Sequence, residues 1–554
     1  MSQTTLLEID QKQMQHNQQK ITLTGNDLTI ADVSHVAKGV SESSTFLISE
    51  EAIKRIEECN ELKHEIINKQ YPIYGVTTGF GDSVHRQISG EKTWDLQRNL
   101  IRFLSCGVGP VADEVVARAT MLIRTNCLVK GNSAVRMDVI HQLIAYMERG
   151  LTPIIPERGS VGASGDLVPL SYIASILVGE GKVLYKGKEC EVAEALEAEG
   201  LMPLTLEAKE GLALVNGTSF MSAFACLAYS DAEEIAFIAD ICTAMASEAL
   251  LGNRGHFYSF IHEQKPHLGQ MASAKNIYTM LEGSQLSKEY SQIVGNNEKL
   301  DSKAYLELTE SIQDRYSIRC APHVTGVLYD TLDWVKKWLE VEINSTNDNP
   351  IFDVETREVY NGGNFYGGHV VQAMDSLKVA VANIADLLDR QLQLVVDEKF
   401  NKNLTPNLIQ RFNSDHYELG LHHGFKGMQI ASSALTAEAL KMSNPVSVFS
   451  RSTEAHNQDK VSMGTISSRD ARTIVELTQH VAAIHLIALC QALDLRDTKK
   501  MSPKTTKIYN MIRMHVPFVE RDRALDGDIE KVVQLIRSGN LKKEIQDQNV
   551  TSLE

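Results

Sequence analysis

Residues 159 to 167 read Gly-Ser-Val-Gly-Ala-Ser-Gly-Asp-Leu, which sets Ala163-Ser164-Gly165 between flexible glycines and an apolar run. For a backbone to cyclise on itself, the amide nitrogen of residue i+2 must reach the carbonyl carbon of residue i. Glycine at i+2 lacks the Cβ that would block that approach. Attack of the Gly165 nitrogen on the Ala163 carbonyl, with dehydration of Ser164, releases two waters and leaves a methylidene-imidazolone ring, an electrophile made from the chain itself. A second run, Tyr74-Gly75-Val76-Thr77-Thr78-Gly79-Phe80-Gly81, is rich in glycine and threonine. These oppose a stable helix and predict a mobile loop carrying Tyr74, a lid over about residues 74–86. Gln313, Tyr316 and Arg319 are spaced three apart, which predicts one shared helix face. The planar guanidinium of Arg319 suits a two-point grip on a carboxylate.

Other chemistries fit less well. A serine-hydrolase elbow needs glycine two residues after the nucleophile, and Asp166 occupies that position after Ser164. No His-Glu-x-x-His run occurs, and the neighbours His422 and His423 lack a third ligand at metal spacing, so no metal is expected. A net charge of −16 without a long basic run argues against a nucleic-acid surface. The eight cysteines are scattered with no Cys-x-x-Cys pair, which predicts reduced thiols. The polar, Gln-rich stretch from Met1 to Lys20 has no apolar core, and no uninterrupted apolar run is long enough to span a bilayer. Cytoplasmic residence is the expectation.

The elements that must position these residues read as mainly α. With 554 residues, 43% of them hydrophobic, the chain can bury a large core. Glu50 to Glu57 is amphipathic, and Leu96 to Val129 is apolar-periodic with a break at Gly107, Gly109 and Pro110. After Asn216 an Ala-rich stretch to Leu251 predicts a long buried helix. Val370, Met374, Leu377, Val381, Ile384, Leu388, Leu392 and Val395 recur at three and four, as do Ile474, Leu477, Val481, Ile484, Ala488 and Leu495. These are helix-bundle seams. Seams of that length exposed on a monomer would aggregate, which predicts an oligomer. The charged stretch from Arg496 to Glu554, helical around Ile529 to Ile536, reads as a surface layer. The expected division is 1–215, 216–495 and 496–554.

Ala163-Ser164-Gly165 followed by Asp166-Leu167, the Tyr74 run, Asn216-Gly217, Gln313 to Pro322, Asn344 to Pro350, Asn361 to Gly368, His423 to Ile430 and Glu454 to Asp459 together resemble the aromatic amino acid ammonia-lyases and aminomutases. The resemblance extends from about Ile73 to Leu495. It implies the long-helix bundle of the histidine/phenylalanine ammonia-lyase (fumarase-like) superfamily, with an N-terminal domain bearing the methylidene-imidazolone (MIO). It implies that MIO is the only prosthetic group, and a homotetramer with active sites shared between subunits.

By the same resemblance Tyr74 is the base, aided by Tyr316, and Arg319 with Asn349 fixes the substrate carboxylate. Asn216, Gln313, Glu454 and Gln458 position the ring or the amine. Leu212 lines the pocket, Phe365 packs near the catalytic centre, Lys426 is a substrate-binding candidate, and Asp166 assists cyclisation. Phe103 and Leu104 fall at the substrate ring. A pocket with no polar partner disfavours a phenol or imidazole by about 1 to 3 kcal/mol. Gln458 stands where the histidine-specific branch tends to carry glutamate. The expected reaction is therefore L-phenylalanine to trans-cinnamate and ammonia. Tyrosine or histidine ammonia-lyase and a phenylalanine/tyrosine 2,3-aminomutase are the alternatives.

Overall fold

The computed structural model describes residues 19–39 and 44–546 and is mainly helical. Among the described residues four helices exceed twenty residues: Ser219–Ala249, Ala321–Ile343, Gly368–Val396 and Gly464–Asp494. Their apolar spacing explains them. All eight seam residues from Val370 to Val395 are buried, as are Ile474, Val481, Ile484 and Ala488. At these positions the seams are buried, while Leu477 and Leu495 are half-buried. The helix Gly464–Asp494 is also long and apolar enough to cross a membrane by length and composition, against the sequence expectation, but 78% of its apolar window is buried inside the fold.

Two compact units, each discontinuous in sequence, make up the chain, so they do not coincide with the three consecutive stretches expected. The first comprises 1–230, 336–375 and 445–469. It holds the four small sheets found among the described residues. Strands Gln19–Leu23 and Ser44–Ile48 pair in parallel, and Val108–Val111 pairs with Pro156–Arg158. Two of its helices start at side-chain caps. The Ser49 hydroxyl accepts the Ala52 N–H ahead of Glu50–Asn68, and Thr29 with Asp32 forms a reciprocal cap for Ile30–Lys38. Ala52, Ile56, Cys59, Leu62 and Ile66 then form the buried stripe of Glu50–Asn68.

The second unit comprises 231–335, 376–444 and 470–554. Beyond Arg496 it contains the helices Pro503–Arg513, Asp526–Arg537 and Asn540–Gln546 where the sequence indicated one. Ser502 caps the first of these, and the buried Glu248 carboxylate accepts the Ser502 N–H at 2.7 Å. Asp240 is fully buried on Ser219–Ala249. It accepts from Asn276 Nδ2 and Tyr329 Oη, each at 2.9 Å, and from Ser273 Oγ.

Candidate active site

The strand Pro156–Arg158 leads through the turn 159–166 into the helix Leu167–Leu177. Asp166 sits at that helix's N-cap position yet makes no cap bond. Its buried carboxylate instead accepts from Ser160 Oγ at 2.9 Å, from Met221 N at 2.8 Å and from Thr465 Oγ1. Burial outweighs these donors and pushes the Asp166 carboxyl up to about 6. The segment 461–464 closes over the turn, with Ser462 N donating to Gly162 O at 3.1 Å and Met463 N to Val161 O at 3.0 Å.

Gly165 has φ 68°, and a Cβ there would lie 2.0 Å from the main-chain oxygen of Gly217. Only glycine permits this approach. Asp166 N donates to the same Gly217 oxygen at 2.7 Å. Asn216 Nδ2 donates to the Ser164 main-chain oxygen at 2.8 Å, and Gln458 Nε2 reaches Ser164 Oγ at 3.2 Å. A turn pinned at its middle carbonyl, its hydroxyl and its terminal glycine fits a ring closed from Ala163 to Gly165.

A cavity of about 1100 Å³ opens over this turn, entirely within the first unit. Ala163, Ser164 and Asn216 form its floor, and Phe103, Leu104, Leu212 and Phe365 supply apolar wall. Tyr74, Asn349, Glu454 and Gln458 bring polar atoms to it. Phe103 and Leu104 form the end of the helix Thr93–Leu104, where Phe103 is 61% exposed and Leu104 is buried. Asn349 Oδ1 accepts the Gly362 N–H at 2.7 Å, so its carboxamide is oriented by the loop that carries Phe365.

The Tyr74 run is less free than its composition suggested. Val76, Thr77 and Thr78 are buried. Gln97 ties the run to the pocket wall, donating through Nε2 to Gly75 O at 2.9 Å and accepting Leu212 N–H at 2.8 Å. Gln97 was not singled out in the sequence, since a lone glutamine on a helix gives no signal. Tyr74 Oη accepts the Gly81 N–H at 3.0 Å. The Asp82 N–H donates to the Glu454 carboxylate at 3.1 Å. Burial, with a smaller contribution from the Glu454 charge, raises the Tyr74 phenol above its ordinary value, and the Gly81 N–H only partly offsets this. A base needs the opposite shift, toward which the Gly81 N–H contributes.

Gln313, Tyr316, Arg319 and Lys426 lie in the second unit and do not line this cavity. The predicted common helix face is also corrected: the helix covers only Tyr316–Arg319, and Gln313 lies in the irregular segment before it. The Arg319 guanidinium stands 4.6 Å from the Tyr316 ring centroid, and Tyr316 is exposed. Gln391 Nε2 donates to Ser317 O at 2.9 Å, which anchors this short helix, while Lys426 begins the helix Lys426–Met442. Among the described residues no group of three His, Cys, Asp or Glu is arranged to hold a metal.

A family model described as aromatic amino acid lyase matches residues 28–514. The histidine ammonia-lyase of Caldanaerobacter subterraneus subsp. tengcongensis is 37% identical over 531 residues, covering 96% of this chain and 99% of that protein. The histidine ammonia-lyase of Geobacillus sp. is 37% identical over 517 residues, covering 93% and 96%. The crystal structure of tyrosine aminomutase from Streptomyces globisporus superposes with a TM-score of 0.90 at 36% identity, covering 97% of this chain and 100% of that one. The fold is that of these lyases and mutases. The near full-length histidine-directed relatives overturn the expectation of phenylalanine as substrate. The physical reason lies in the wall: Phe103 and Leu104 do not make an apolar slot, because the Glu454 carboxylate and Tyr74 share the cavity with them.

Proposed function

We propose, for a chain that belongs to the aromatic amino acid lyase family, non-oxidative removal of ammonia from L-histidine to give urocanate. The observation that carries this reading is 37% identity to a histidine ammonia-lyase across 96% of this chain and 99% of the relative. The Glu454 carboxylate supports it, since a carboxylate in the cavity can accept an imidazole N–H.

In this reading Ala163, Ser164 and Gly165 become the MIO. When formed, that group supplies the electrophile that makes ammonia a competent leaving group. Asn216, Gln458 and Gly217, which contact Ser164 and Gly165, are the residues that would hold it. Tyr74 removes the β-proton of the substrate, and the amide of Asn349 orients the carboxylate. Leu212, Phe365, Phe103 and Leu104 exclude water from the ring. Tyr316, Arg319, Gln313 and Lys426 enter as groups contributed by neighbouring subunits of a homotetramer, with Arg319 the carboxylate's cationic partner. A nearby cation would also bring the Tyr74 phenol down to where it works as a base.

Incubation with equimolar L-histidine, L-tyrosine and L-phenylalanine, with products resolved chromatographically, tests the substrate. Urocanate as the dominant product is expected. Dominance of another arylacrylate overturns histidine, and a dominant β-amino acid overturns the lyase reading in favour of an aminomutase.

A further inference from the structure

Beneath the turn lies a cation that the reaction as derived does not use. Arg124, on the helix Glu114–Val129, is fully buried. Its Nη1 donates to the main-chain oxygen of Asn216 at 2.9 Å and reaches Asn347 Oδ1 at 3.4 Å, and its Nη2 reaches Cys127 Sγ at 3.1 Å. Its Nε has no hydrogen-bond partner. The buried carboxylates Asp348 and Asp166 are engaged elsewhere: Asp348 pairs with Lys209 at 2.5 Å, and Asp166 takes Ser160, Met221 and Thr465. A buried guanidinium held largely by a backbone carbonyl and neutral side chains is costly for the fold, so its placement calls for a reason.

Geometry supplies one. The peptide that Arg124 grips carries both contacts to the cyclising turn: Asn216 Nδ2 on Ser164 O, and Gly217 against Gly165. Gly217 itself has φ 152°, and a Cβ there would stand 2.1 Å from Arg124 Nη1. Arg124, Gly217 and Gly165 are thus stacked with no room for a side chain between them.

We propose that Arg124 is a positioning residue for self-processing, holding Asn216-Gly217 against the turn so that the Gly165 nitrogen is pressed toward the Ala163 carbonyl carbon. The proposal rests on the ring reading above. The step is balanced within the chain. A bond forms between Gly165 N and Ala163 C. The Ala163 oxygen leaves as water with the amide hydrogens of Ser164 and Gly165, and the Ser164 hydroxyl leaves as a second water with the Ser164 α-hydrogen.

Intact mass of the purified full-length chain, followed over time after synthesis, reads this step without any turnover assay. The wild-type chain is expected to show a deficit of two waters; a wild-type chain at full mass overturns the ring reading itself. Arg124→Met is expected to slow the appearance of the deficit at least tenfold while circular dichroism stays helical, and Arg124→Lys to restore most of the rate. Gly217→Ala, which displaces the guanidinium without removing it, gives the same readout should Arg124→Met fail to fold. A folded Arg124→Met or Gly217→Ala chain processed at the wild-type rate overturns the role of Arg124.

Discussion

Asn216 Nδ2 lies 2.8 Å from the main-chain oxygen of Ser164, so the residue that ends the helix Glu210–Val215 grips the middle of the cyclising turn. In the proposed ring that oxygen would gather negative charge, and a preoriented donor there would stabilise it. Replacing Asn216 with Ala is expected to lower kcat by about 10²- to 10³-fold, the usual loss for one such donor. The measurement is steady-state turnover on chains whose mass shows complete processing.

Gly165 meets Gly217 too closely for a Cβ. Gly165→Ala is expected to remain at the unprocessed mass and to lose turnover, because the added methyl forces the turn away from its support. Mass spectrometry of the folded variant checks this.

In the proposed reaction the phenolate of Tyr74 accepts the β-proton, and in the first unit its phenol sits above the ordinary ~10. The sign follows: kcat is expected to rise with pH through the neutral and into the alkaline range. Glu454→Gln removes a charge that opposes ionisation, so the rising limb should move to lower pH even as KM for histidine increases. Tyr74→Phe should abolish the limb and cost about 10²- to 10⁴-fold in kcat. A pH profile of kcat for the three chains checks the set.

Asp240 is fully buried, and burial pushes its carboxyl up to about 7 despite donors from Ser273, Asn276 and Tyr329. Its folded value therefore lies above the ordinary ~3.9. Stability from this group is complete below about pH 4 and is lost as pH rises through about 7, a change of about 2 to 4 kcal/mol. Asp240→Asn lacks this dependence. Relative to the wild type, its thermal midpoint is expected to move upward by a few degrees between pH 5 and pH 8, read by thermal unfolding at both.

The glycine at 165 was legible because a turn this tight makes a local demand that shows in adjacent letters, and the structure sets Gly165 where a Cβ would meet the Gly217 oxygen. Tyr74 was legible for a similar reason, since its glycines announce an unusual backbone. What surrounds them was not. Gln97 and Arg124 act through contacts 22 and 92 residues away in sequence, and a polar residue on a helix carries no mark of so distant a partner. The spacing of Gln313, Tyr316 and Arg319 suggested one helix face, but the helix begins only at Tyr316. Substrate choice failed for a related reason: Phe103 and Leu104 describe one patch of wall, whereas selectivity depends on every group that shares the cavity. The seams gave the helices correctly, and periodicity shows that a stripe must be covered but not by what.

The helix Gly464–Asp494 has a consequence for biosynthesis. Its apolar length rivals a membrane span, and it is hidden only by a completed fold. It leaves the ribosome after Ser219–Ala249, Ala321–Ile343 and Gly368–Val396 have already been made, so during translation it meets a partly built core rather than open water. Dilution of the denatured chain removes that order of events and exposes all four long helices at once, and recovery of folded protein should then fall as chain concentration rises.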